Sequence, residues 1–190
     1  MMIMNLFITL TVIRGEHTMA EDNINGMNQI AQTERSAPTD FNFAIGTWTV
    51  KHRRLKDLLS ETKEWIEFEG SSTTRTILGG FGNLEDNVLH FPNSSFRAAA
   101  IRSYDPNTKQ WSIWWLDGRF PNKIDVPVVG EFKNKVGVFY AEDVLNNIPT
   151  KVRFTWDSTL PENPRWEQAF STDNGVTWET NWTMSFLRAN

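Results

Sequence analysis

The 190-residue chain has no cysteine, which excludes disulfides, thiol nucleophiles and thiolate metal sites. Charge of one sign is also missing: 19 basic residues are interspersed with 23 acidic ones, for a formal net charge of −4. No basic patch dominates, so a nucleic acid is not expected as a partner. Histidine is scarce. His17, His52 and His90 lie too far apart in sequence to read as a metal centre, and none is expected. No apolar run reaches the ~20 residues that a membrane-spanning helix needs. In the apolar segment at residues 3–13 the first basic residue, Arg14, follows the run instead of preceding it. A secretory signal has the opposite order. We therefore expect an extension ahead of a start at Met19, then a polar, mobile arm through residue 39. A cytoplasmic location is expected.

Aromatic rings are abundant: nine Trp and thirteen Phe, against two Tyr. Each can bury ~150–250 Å², so the interior is either densely filled or lines a pocket. Their spacing is more telling than their number. Trp166, Gln168 and Phe170 alternate with Arg165, Glu167 and Ala169, and beyond Asp173-Asn174-Gly175 the alternation resumes from Val176 to Phe186. Successive strand side chains point to opposite faces, so this is a hairpin with one aromatic face, turned at Asn-Gly.

Similar short strands are read at 46–54, 62–69, 71–78, 87–91, 96–104, 110–117, 126–132, 136–141 and 151–157. Gly70 marks a turn or bulge between the second and third. Residues 79–83 read as a glycine-rich loop, and 55–60 as the only helical piece. Sequential antiparallel strands without helices between them imply an all-β sandwich or barrel. An up-and-down antiparallel barrel of about ten strands is favoured, because closure removes exposed edges. The domain runs from 40 to 190, after the 1–39 extension.

Gly46-Thr47-Trp48 at the first strand, with Arg188 just past the last, resembles the calycin pattern, in which a Trp plugs one barrel end and a late basic residue packs across it. Leu78-Gly79-Gly80-Phe81-Gly82-Asn83, Trp111-Ser112-Ile113-Trp114-Trp115, Pro127-Val128-Val129-Gly130 and Arg165-Trp166-Glu167-Gln168-Ala169 resemble a bacterial calycin-like, lipocalin-like family known only as a domain of unknown function. So do His52-Arg53-Arg54-Leu55, Tyr104-Asp105-Pro106 and Thr177-Trp178-Glu179-Thr180-Asn181-Trp182. The resemblance spans roughly residues 40–188 and implies the barrel fold without an activity.

The function expected from these patterns is binding of a small hydrophobic or amphipathic molecule. Its pocket would be lined by Trp65, Trp115, Trp156, Trp166, Trp178 and Trp182, with polar contacts from His52, Arg54, Arg75, Arg102 and Gln168. His52 and Arg54 would form a cationic rim, or be solvated at the strand end. Arg75 and Arg102 would find partners among Glu67, Glu69, Glu167 and Glu179, or anchor a ligand if left unpaired. An isomerase or cyclase using a cavity carboxylate–arginine pair is the alternative, and no catalytic residue is assigned. A filled barrel with an oligomeric or accessory role is the third reading. No cofactor is expected. Haem is a minor possibility through His90 or His52, neither of which falls on the late strands where haem barrels of related shape place their ligand. Trp114 and Trp115 are adjacent, so one faces outward, and a homodimer patch near Trp114 and Leu116 is expected.

Overall fold

In β1 (Gly46–Leu55), Trp48, Val50 and His52 point inward and are buried, while Thr47, Thr49, Lys51 and Arg53 are exposed. This period of two repeats around the whole molecule. The computed structural model describes residues 36–189; the segment before residue 36, including Met19 and His17, lies outside the described residues. Ala37–Asn190 forms one compact unit. β1 is followed by β2 (Trp65–Ile77), β3 (Gly82–Phe91), β4 (Ser94–Asp105) and β5 (Gln110–Asp117). Then come β6 (Val128–Lys133), β7 (Val136–Leu145), β8 (Ile148–Asp157), β9 (Arg165–Ser171) and β10 (Glu179–Arg188). Each strand pairs antiparallel with its sequence neighbours, and β10 closes the ring on β1 with Trp48 opposite Arg188. The molecule is a closed, ten-stranded up-and-down barrel. The seams differ in length. β5 and β6 share only three residue pairs, from Trp111–Gly130 to Ile113–Val128, whereas β7 and β8 pair along their full lengths.

One end is plugged. The Trp48 indole donates from Nε1 to the Ala44 carbonyl at 2.8 Å. The Arg188 guanidinium lies 4.0 Å from the indole ring and donates to the Ile45 carbonyl. Gly46 has φ +120°, a conformation that favours glycine, and the Arg188 guanidinium packs into the space a Cβ would take. Phe41, just before the 3-10 turn Asn42–Ala44, sets its ring 4.9 Å from both Trp111 and Phe132. Asp40 accepts from Trp111 Nε1 at 3.0 Å. These contacts seal the bottom of the barrel.

Four local expectations are corrected. The runs at 62–69 and 71–78 form one strand, β2, which passes straight through Gly70. Glycine is required there because a Cβ would meet the Val88 carbonyl at 2.5 Å and His52 Nε2 at 2.8 Å. The loop at 79–83 shrinks to a 3-10 turn, Leu78–Gly80, and β3 begins at Gly82. Leu55 ends β1 and residues 56–59 are bend and turn, so no helix forms over 55–60; Leu59 has φ 54°. Finally, the alternation of β10 is interrupted by a register shift between Thr180 and Trp182. The extra residue, Asn181, is fully buried, and every side chain before it changes face.

The β9–β10 turn is held by one side chain. Asp173 accepts from the backbone N–H groups of Val176 and Thr177 and from the hydroxyls of Ser171 and Thr177. These bonds, led by the Thr177 hydroxyl, hold its carboxyl far below the usual carboxylate range. Asp173→Ala is expected to loosen this turn without unfolding the barrel. Amide exchange should quicken at Val176 and Thr177 and stay unchanged in β1; unchanged exchange at both turn amides would count against this assignment.

Candidate functional site

Above the plug the inward side chains enclose a cavity of about 420 Å³. Its middle is an aromatic belt. Trp166 and Trp182 meet edge to face at 5.7 Å, Trp115 meets Trp182 at 6.3 Å, and Phe154 meets Trp166 at 4.8 Å. Val152, Phe170 and Met184 complete it. Such edge-to-face pairs hold the rings in place around the hollow. Gln168 also lines the cavity and donates from Nε2 to Asn181 Oδ1 at 2.8 Å, tying the belt to the bulge.

The deep end is polar. Arg102, 2 % exposed, donates from Nη1 to Asn83 Oδ1 at 2.8 Å and pairs through Nη2 with the buried Glu85 carboxylate. Its guanidinium lies 5.0 Å from the Phe41 ring and 5.3 Å from Trp156, level with the plug. Asn87 follows Glu85 on the same face of β3.

The mouth carries the other charges. Arg54 is half-buried, with its guanidinium 4.8 Å from the Trp182 ring. Its Nε is buried with no hydrogen-bond partner in the protein, and no carboxylate forms an ion pair with it among the described residues. Burial and then the nearby Arg119 charge lower its affinity for the proton, while Asp117 offsets part of this. Asp117 is occupied with Arg119, whose Nη2 approaches to 2.7 Å. That bond holds the Asp117 carboxyl below its ordinary value. Asp125, also at the mouth, is pushed upward by burial.

Of the eleven residues expected from the sequence to form the site, Arg54, Arg102, Trp115, Trp156, Trp166, Gln168 and Trp182 line this cavity. Four do not. His52 is buried behind the belt, stacked on Phe68 at 4.6 Å and accepting from Trp182 Nε1 at 3.3 Å, so it supports Trp182. Burial lowers its pKa to about 4. Trp65 shares the outer face with Arg53, whose guanidinium covers it at 4.2 Å. Arg75 is exposed on the outer face of β2. Trp178, carried outside by the Asn181 bulge, sits beneath Arg153 at 4.6 Å.

The carboxylates fare similarly. Glu67 and Glu167 pair with Arg53 and Arg153, and Glu179 with Lys63, and none of the three lines the cavity. The acids that do are Glu85, Asp117, Asp125 and Asp143. Arg102 thus takes its partner from β3. Neither His52 nor the exposed His90, which is bonded to Ser95 Oγ, lines the cavity. Trp114 and Leu116 are half-buried, and Leu116 is bridged to Ile124 of the loop after β5. Asn83 and Glu85 escaped sequence reading because β3 starts five residues before the strand read at 87–91, and Asn87, at the first position of that strand, read as a strand end. Their alternation was the available signal.

No family model and no curated protein matches the chain. Among solved structures, an S-type phycobiliprotein lyase from Guillardia theta superposes with a TM-score of 0.56, covering 85% of this chain and 97% of that one, at 8% identity. What the two share is the fold. The barrel is calycin-like, and among the described residues no helix is long and apolar enough to cross a membrane.

Proposed function

We propose that the barrel binds a small amphipathic molecule with an acidic head group. The apolar body lies in the Trp115–Trp166–Trp182 belt and the head group meets Arg54 at the mouth. The observation that carries this reading is the Arg54 guanidinium, which is half-buried over Trp182, has an unpartnered Nε and lacks an acid of its own. A planar fork in that setting matches a carboxylate. The cavity volume lies within the range of small-molecule sites and argues against a barrel filled solid by side chains. Titrating tryptophan fluorescence with decanoate and with decanol tests the idea. Decanoate is expected to bind ~10-fold more tightly, and Arg54→Met to erase that preference while leaving the fold intact. Equal affinity of the unaltered protein for acid and alcohol would overturn it. Native mass spectrometry of protein taken directly from its host cells would then identify the natural ligand by mass.

A second reading has one observation in its favour: a carboxylate–arginine pair, Glu85 with Arg102, does line the cavity. An isomerase- or cyclase-type enzyme built on it predicts a substrate whose turnover is lost in Glu85→Gln, with binding retained.

A further inference from the structure

We infer that the deep end of the cavity is a second polar subsite, which takes a neutral oxygen acceptor, a carbonyl above all, at the far end of the ligand from its acidic head. This rests on the binding reading above for the head group. The deep floor holds more hydrogen-bond donors than it uses. Arg102 is satisfied at both Nη atoms, yet its Nε has no partner in the protein. Asn87 is 6 % exposed and its Nδ2 is likewise unpartnered. Both residues line the cavity.

Buried donors of this kind are rarely left unpaired, because each has given up water without replacing it. The side chains across the sheet are small. Directly across from Glu85 and Asn87 in the β3–β4 register stand Ala100 and Ala98, the smallest side chains that still keep the strand apolar. Larger residues there would fill the space in front of the polar row.

The charge balance selects the chemistry. An N–H donor asks for an acceptor, so an alkyl end satisfies neither group. A second carboxylate is disfavoured, because Glu85 already neutralises Arg102 and would face the incoming anion. A neutral carbonyl meets both conditions. The ligand class is therefore an amphipathic oxo acid, with its carboxylate at Arg54, an apolar body along the tryptophans and its carbonyl in the polar row that holds Asn87 and Arg102.

Binding of decanoate, of the keto acid of the same length with its ketone on the penultimate carbon, and of the dicarboxylate sebacate tests this. The unaltered protein should bind the keto acid ~10-fold more tightly than decanoate, and sebacate more weakly than either. Asn87→Leu should abolish the keto acid's advantage without weakening decanoate. Arg54→Met should weaken both acids and preserve that advantage. The ketone stretch of the bound keto acid should shift to lower frequency in the infrared, a readout that needs no variant. Equal affinity for keto acid and decanoate, or an unshifted ketone band, overturns the subsite even if decanoate still outbinds decanol. If decanoate and decanol bind alike, the head-group reading itself has failed.

Discussion

Glu85→Leu, made alone, is expected to lower barrel stability by about 3–5 kcal/mol, because it leaves a buried guanidinium without its counter-charge. The Arg102 and Glu85 side chains are 2% and 6% exposed, so water cannot replace the lost partner. Asn83 Oδ1 still accepts from Arg102 Nη1, but a neutral amide does not balance a charge. Denaturant unfolding should show an earlier midpoint with unchanged slope. The double variant Glu85→Leu with Arg102→Met is expected to recover most of the loss, since removing both charges removes their joint desolvation penalty. A loss under about 1 kcal/mol in the single variant would place the pair in the range of solvated ion pairs and refute its burial.

Acid is expected to weaken the fold through His52. Its pKa falls from 6.5 to about 4 on folding because burial disfavours the imidazolium. The unfolded chain therefore binds more protons between these values, and stability rises with pH across that window. The contribution is fully present above about pH 6.5 and is lost as pH falls toward about 4, up to roughly 3 kcal/mol. Protonation also ends the bond from Trp182 Nε1, since a doubly protonated ring has no acceptor. Asp125 acts in the opposite sense: burial raises its carboxyl, so it removes stability as pH rises through its folded value. The difference between the protein and His52→Phe isolates the histidine. Phenylalanine retains a ring to stack on Phe68, and the variant should lose the acid-sensitive component while being less stable near neutrality, where the Trp182 N–H is left unpartnered. An identical pH profile for the two proteins would sink this assignment.

Period-two alternation made the barrel legible, and β5 is read from the sequence to the residue, because both its ends carry turn chemistry. The plug was readable in Gly46, Trp48 and Arg188. Alternation fails where a single residue is inserted. Nothing in Thr180-Asn181-Trp182 announces a bulge, so Trp178 reads as facing inward although it stacks outside beneath Arg153. Facing is also ambiguous on a strand rich in charge: Arg75 and Arg102 look alike in sequence, yet only Arg102 points inward, with Asn83 opposite it and the Glu85 carboxylate two residues along. Trp65 and His52 show the same limit, since rings on either face of a strand can be covered, one by Arg53 and the other by Phe68.

The brevity of the β5–β6 seam has a consequence for traffic. Past Ile113 the strand leaves β6, and the wall beside Trp114 is made by the loop carrying Phe120 and Val126, held to β5 by the Leu116–Ile124 bridge and by the Asp125 N–H on the Trp115 carbonyl. For the binding reading proposed above, parting these three rungs would admit a ligand from the side and leave the Trp48 plug untouched. Backbone protons along this stretch should trade with solvent sooner than those of the full-length β7–β8 joint.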